Sequence, residues 1–139
     1  MSAFIDTSAL YAILDRDDAN HRQAAAVWGE LLAAGDTLLT SNYVVVETTA
    51  LVQHRLGMDA VAALLRDLLP VVVIEWVTEA DHREAVASLL AAGRRSVSLV
   101  DCVSFVIMRR MGFERAFAFD ANFPGEGFRT LGGGRSRRP

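Results

Sequence analysis

A chain of 139 residues has room for one domain with its own core and is too short for two. All 14 basic residues are Arg, against 10 Asp and 7 Glu for a net charge of −3. Without Lys, a Walker A phosphate loop, a Schiff-base enzyme and the Lys-dependent phosphoacceptor pockets are excluded in their usual form; the lone Cys102 excludes a disulfide framework and a multi-Cys zinc site.

Ser2 to Ile5 is a short apolar strand that meets Asp6 at once, leaving no basic and apolar leader; the expectation is a cytoplasmic protein. The hydroxyls of Asp6-Thr7-Ser8 are placed to cap a helix over Ala9 to Leu14. Helical spacing resumes over Ala19 to Ala34 and stops at Gly35, and Thr37 to Thr40 gives a second strand. Ser41 or Asn42 caps a helix over Tyr43 to Leu56, and another runs from about Asp59 to Leu69 before Pro70. The longest apolar stretch, Leu68 to Ile74, contains that proline and is too short to span a bilayer. Val71 to Trp76 reads as a third strand, and its nearly continuous apolar character predicts burial on both faces. Thr78 opens a helix ending near Gly93, Ser98 caps the helix Leu99 to Met111, Ala116 to Phe119 is a fourth strand ending at Asp120, and Phe128 to Leu131 is a short fifth. Strands separated by helices predict a three-layer α/β/α domain over residues 1–131 with a mostly parallel central sheet of four to five strands. Residues 132–139, rich in Gly and Arg, read as a disordered tail.

Ligands of open α/β sheets bind beyond the carboxyl ends of the strands, where this reading places Asp6 and Asp120. Most other acids have Arg neighbours, such as Asp18 with Arg22 and Glu79 with Arg83 at i,i+4, or Asp67 and Glu114 beside Arg66 and Arg115. Asp6, Glu47, Asp101 and Asp120 lie in apolar surroundings with no Arg three or four residues away. Glu47, on a helix that is apolar on nearly all sides, must be neutral, meet a distant Arg, or face a cleft. Asp101 fits a helix cap in Ser98-Leu99-Val100-Asp101, Asp6 fits a cap, and Asp120 fits a turn. Convergence of all four would require a divalent cation or shared protons, and carboxylate oxygens favour Mg²⁺ or Mn²⁺. Such a site suits phosphodiester hydrolysis. His21, His54 and His82 have no metal-ligand spacing and read as surface or packing residues, and Cys102 as a small core residue.

Four segments, Phe4-Ile5-Asp6-Thr7-Ser8-Ala9-Leu10, Tyr43-Val-Val-Val-Glu47-Thr, Ser98-Leu99-Val100-Asp101-Cys102 and Phe119-Asp120-Ala121-Asn122-Phe123, together resemble the PIN-domain ribonucleases. Length and layout make the chain most similar to the VapC toxins of bacterial type II toxin–antitoxin pairs. The resemblance implies a Mg²⁺- or Mn²⁺-dependent endoribonuclease, inhibited by a small cognate antitoxin protein and usually a homodimer. By motif, Asp6 and Asp101 become the principal metal ligands, and Glu47 and Asp120 complete the site directly or through water. Thr7 and Ser98 match hydroxyl residues that orient it, and Asn122 matches a polar supporting position. Arg16, Arg94 and Arg95 are candidate RNA contacts, with Arg109 and Arg110 near the Asp101 helix. Two other readings are a PIN-like binding or dimerisation module without turnover and a DNA-directed nuclease of the same fold. Setting the four acids aside leaves 13 acids against 14 Arg, so the net charge does not disqualify an RNA partner.

Overall fold

The computed structural model describes residues 1–133. The elements in chain order are β1 (Ser2–Ile5), α1 (Thr7–Leu14), α2 (His21–Ala34), β2 (Thr37–Ser41), α3 (Asn42–Leu56), α4 (Met58–Ala62), β3 (Val73–Glu75), α5 (Glu79–Ala92), α6 (Leu99–Met111), β4 (Arg115–Phe117), α7 (Asn122–Gly125) and β5 (Arg129–Leu131). All five strands are parallel, in the order β3-β2-β1-β4-β5, with Phe4 of β1 set between Leu39 of β2 and Ala116 of β4. The chain builds outward from β1 through β2 to β3, then returns across the sheet to add β4 and β5 on the other side. Right-handed crossovers therefore place α1 to α4 on one face and α5 to α7 on the other, giving the expected three layers. The reversal of strand order lies between β1 and β4, the place beyond the strand ends where open α/β sheets bind their ligands.

The core is made by side chains that both helical layers press onto the sheet. Phe4, Ile5, Leu10, Val44, Ile107, Met108, Phe117 and Phe123 are fully buried. Each contributes about 1.5–3 kcal/mol relative to exposure. Every residue of α6 from Asp101 to Met108 is buried, so this helix runs through the interior instead of along the surface. Phe105, Phe123 and Phe128 pack together, the first two edge to face with centroids 5.0 Å apart. That cluster pins α7 and β5 against α6.

Several local expectations need correction. The apolar run Val71–Trp76 is not doubly buried: β3 is only Val73–Glu75, it is an edge strand, and Val73 and Trp76 are 55% and 71% exposed. Apolar content alone does not place a strand at the centre of a sheet, because order is set by long-range pairing. The expected helix Asp59–Leu69 is broken into α4, a π-helical segment Ala63–Leu68 and a 3₁₀ turn Leu69–Val71. Pro70, with no N–H to give, sits in the first turn of that 3₁₀ piece, where no intrahelical bond is asked of it. β4 stops at Phe117, so Asp120 lies in the loop beyond the strand rather than at its last residue. The short helix α7 was not expected. After β5, Gly132 and Gly133 lie at positive φ, and a Cβ on Gly132 would come within 2.9 Å of the Phe119 ring. The rest of the expected tail, residues 134–139, lies outside the described residues.

Candidate active site

Asp6 follows β1 and caps α1. The cap is its carboxylate, not the hydroxyls expected of Thr7 and Ser8: Oδ2 accepts the Ser8 backbone N–H at 3.1 Å and the Ser8 Oγ–H at 2.6 Å. Asp6 is 3% exposed, and no Arg or His pairs with it among the described residues. Burial raises its pKa from 3.8 to about 7; the Ser8 hydrogen bonds pull down, and the charges of Asp101 and Asp120 push up.

Asp101 enters from the N-terminus of α6. Ser98 Oγ accepts the Asp101 N–H and the Asp101 carboxylate accepts the Ser98 N–H, each at 3.0 Å, so the cap anticipated from Ser-x-x-Asp is present in both directions. The cap leaves Asp101 8% exposed, and its pKa rises chiefly through burial, with the charges of Asp120 and Glu47 adding to it against the Ser98 hydrogen bonds. The structural and acidic roles of this residue thus coexist.

Glu47, half-buried on α3, meets no Arg among the described residues. Its Oε1 accepts from Thr7 Oγ1 at 2.7 Å, and Thr7 Oγ1 lies 2.9 Å from Thr48 Oγ1. Because Thr7 has one hydroxyl proton and gives it to Glu47, Thr48 must donate to Thr7. This relay ties α3 to α1 and turns Glu47 toward the other acids.

Asp120 is half-buried in the loop after β4, where its Oδ1 accepts the Asn122 N–H at 2.8 Å. Asn122 in turn donates its Nδ2–H to the Ser96 carbonyl at 2.8 Å, joining this loop to the one that carries Arg94 and Arg95. The four acids read from sequence lie close enough to act on one another, Asp6 feeling Asp101 and Asp120 and Asp101 feeling Asp120 and Glu47, and Thr7, Ser98 and Asn122 each bond to one of them through side chain or backbone. Among the described residues, no three His, Cys, Asp or Glu side chains are drawn together closely enough to hold one ion, so the carboxylates form an acidic cluster and not a closed ligand set. Their donor chemistry fits a hard divalent cation: all are carboxylates, and Asp6 is buried with no Arg or His beside it among the described residues.

Arg16, Arg94 and Arg95 are exposed and pair with no acid among the described residues. Arg94 lines a small cavity of about 80 Å³ with Cys102 and Glu126. Arg109 and Arg110 are committed elsewhere, Arg109 to Glu126 and the Phe128 ring, Arg110 to Glu75 and Asp81. Arg115 pairs with Asp36 and not with adjacent Glu114. His21 meets the Ala12 carbonyl and His82 the Tyr43 hydroxyl, packing roles as expected. A groove of about 370 Å³, lined by Asn42, Tyr43, Val46, Glu47 and Val100, opens beside the acids. Thr48 escaped the sequence reading, and Ser8 was read only as a capping hydroxyl, whereas its side chain donates to Asp6 and accepts the Phe119 N–H at 2.9 Å. A polar residue two places after a capping Asp is a usable signal for Ser8; nothing local points to Thr48.

Residues 3–125 match the family model of the PIN domain. The chain belongs to the PIN domain family. Among curated proteins, this PIN domain is 37% identical over 126 residues to the 23S rRNA-specific endonuclease VapC20 of Mycobacterium tuberculosis, spanning 90% of this chain and 94% of that one. It is 45% identical over 64 residues to Ribonuclease VapC26 of the same species, 46% of this chain and 45% of that one. The crystal structure of VapC20, described as a sarcin-ricin loop cleaving toxin, superposes with a TM-score of 0.79 at 36% identity, over 91% of this chain and 95% of that one. VapBC2 from Rickettsia felis, bound to a promoter DNA fragment, matches with a TM-score of 0.69 at 14% identity over 94% and 97% of the two chains. At that identity the likeness concerns the fold. Among the described residues, no helix is long and apolar enough to cross a membrane.

Proposed function

We propose that the chain is a Mg²⁺- or Mn²⁺-dependent endoribonuclease, the toxin of a type II toxin–antitoxin pair, that hydrolyses RNA with a water activated at the Asp6, Glu47, Asp101 and Asp120 cluster. The observation that carries this reading is Asp6: a buried carboxylate with no cationic partner among the described residues, at the sheet's reversal point, under the charges of two further acids. The relative's name, a 23S rRNA-specific endonuclease, and its structure's description as a sarcin-ricin loop cleaving toxin support RNA as substrate and make that loop the first one to test.

Asp6 and Asp101 would hold the cation, with Glu47 and Asp120 completing the site directly or through water. When bound it supplies positive charge to position a phosphodiester, acidify a water and stabilise the leaving oxygen. The chain's own residues do the rest. Ser8 donates to Asp6 and favours its charged form, and Thr7 holds Glu47 in place. The N-terminus of α6 directs its positive dipole end, along with Asp101, at the site where an anionic substrate would lie. Arg16, Arg94 and Arg95, unpaired among the described residues, are available to phosphates. A homodimer, a small antitoxin partner and a cytoplasmic location go with this reading, and exposed Val46 beside Glu47 offers apolar surface to either protein.

The test is cleavage of an RNA containing the sarcin-ricin loop, with Mn²⁺ or with EDTA, by wild type and Asp101→Asn. Cleavage should require the metal and fall by about a hundredfold or more in the variant while circular dichroism stays unchanged. Equal cleavage by both proteins refutes the reading. Preference for a DNA competitor would make the chain a DNA-directed nuclease, and Mn²⁺ binding without turnover would make it a binding module.

A further inference from the structure

The side chain of Ser8 joins two parts of the site that the sequence keeps far apart. Its hydroxyl lies 2.6 Å from Asp6 Oδ2 and 2.9 Å from the backbone nitrogen of Phe119, the residue immediately before Asp120. A backbone N–H can only donate, so Ser8 Oγ accepts from Phe119 and its single proton goes to Asp6. Both bonds of this small hydroxyl are thereby fixed in direction. No other acceptor meets the Phe119 N–H among the described residues. On its far side, Phe119 is packed against Gly132 and Gly133, so the segment is held between Ser8 and the chain after β5. The remaining ties of the loop, Asp120 to Asn122 and Asn122 to Ser96, connect it to the α6 side of the site. Beyond the backbone pairing of Asp6 N–H with the Phe117 carbonyl at 3.0 Å, Ser8 is the contact that sets the loop's position relative to the Asp6 carboxylate.

We propose that Ser8 is a positioning residue for the cleavage reaction, using one hydroxyl to fix the Asp120 loop in register with Asp6. The proposal rests on the reading that these acids form a nuclease site. It makes Ser8 a holder of the Asp120 loop and of Asp6, and not itself a metal ligand.

The test uses the full chain. In wild type, without metal or RNA, amide hydrogen exchange followed by NMR should find the Phe119 N–H protected. In Ser8→Ala that amide should exchange about tenfold faster or more, while amides of β1 and α6 keep their rates; Ser8→Thr, which restores the hydroxyl, should return protection. An unprotected Phe119 amide in wild type, or unchanged protection in Ser8→Ala, overturns the link, and the wild-type measurement stands even if the variant does not fold. With Mn²⁺ and RNA, Ser8→Ala should lower kcat about tenfold with KM within about twofold, and Ser8→Thr should recover most of it. In an Asp120→Asn background the same substitution should cost clearly less than about tenfold, because the loop would no longer present the acid and only the bond to Asp6 would remain to be lost. Full additivity of the two substitutions, or an effect on KM alone, overturns the positioning role. Absence of cleavage by wild type overturns the nuclease reading and this role with it, whereas a failed exchange result removes the role and leaves the nuclease reading intact.

Discussion

Asp6→Asn should stabilise the metal-free protein at alkaline pH, and the magnitude follows from the burial of the carboxylate. Raising its pKa from 3.8 to about 7 means that the ionised folded state carries a penalty of about 4 kcal/mol. The sign is set by which state keeps the proton. Between pH 4 and 7 the unfolded chain loses it while the folded protein holds it, so wild-type stability falls over that interval. Above pH 7 the whole penalty is present, and below pH 4 it is gone. An amide of the same shape escapes the penalty, but its NH₂ group brings buried donors for which the Asp6 carboxylate has no acceptor among the described residues, giving back about 1 kcal/mol. The net gain expected is about 3 kcal/mol at pH 8, vanishing or reversing near pH 4. Urea unfolding at both pH values in EDTA measures it, as a midpoint shift of about 1–2 M at pH 8. Equal stability changes at the two pH values, or a variant less stable than wild type at pH 8, would refute the account of Asp6 as an uncompensated buried charge. Saturating Mn²⁺, at about a hundred times its Kd, should stabilise wild type by about 2.7 kcal/mol at pH 8 and leave Asp6→Asn unmoved.

Thr7→Val keeps the shape of the side chain but removes the donor to Glu47 and the acceptor for Thr48, and should cost about 1–3 kcal/mol in urea unfolding while lowering RNA cleavage. Phe123→Ala, which empties the centre of the Phe105–Phe128 cluster, should cost about 3–5 kcal/mol and speed amide exchange in the Asp120 loop before the rest of the sheet. For Asp81, burial favours the neutral form, but Arg110 and the Thr78 hydrogen bonds overcome it and hold the pKa below its ordinary value. That contribution is present above pH 4 and is lost as the pH falls further. Arg110→Met should therefore reduce stability at pH 7 and flatten its acid dependence, as read from thermal melts between pH 2 and 7.

The sequence by itself determined the features whose physics is local. The cap between Ser98 and Asp101 acts across three residues, so its pattern is visible without a fold and the structure reproduces both of its hydrogen bonds. Helix ends at Gly35, Gly93 and Gly112 were legible for the same reason, since a left-handed residue closes each one. Asp6, Glu47, Asp101 and Asp120 stood out because no Arg occupied the neighbouring turns, and a lone acid among apolar residues has few outcomes available to it.

Tertiary structure decided everything that depends on which distant segments meet. The run Val71–Trp76 has the composition of a central strand, yet pairing only with β2 leaves it at the edge with Trp76 exposed. Glu47 finds its partner in Thr7, 40 positions away, and Ser8 meets Phe119 at a separation of 111. Neither spacing leaves a periodic trace, because a hydrogen bond between distant elements constrains two residues and not the pattern around them. Sheet order did the rest: by placing β4 beside β1, the fold brought Asp120 to Asp6 and turned isolated carboxylates into one acidic cluster.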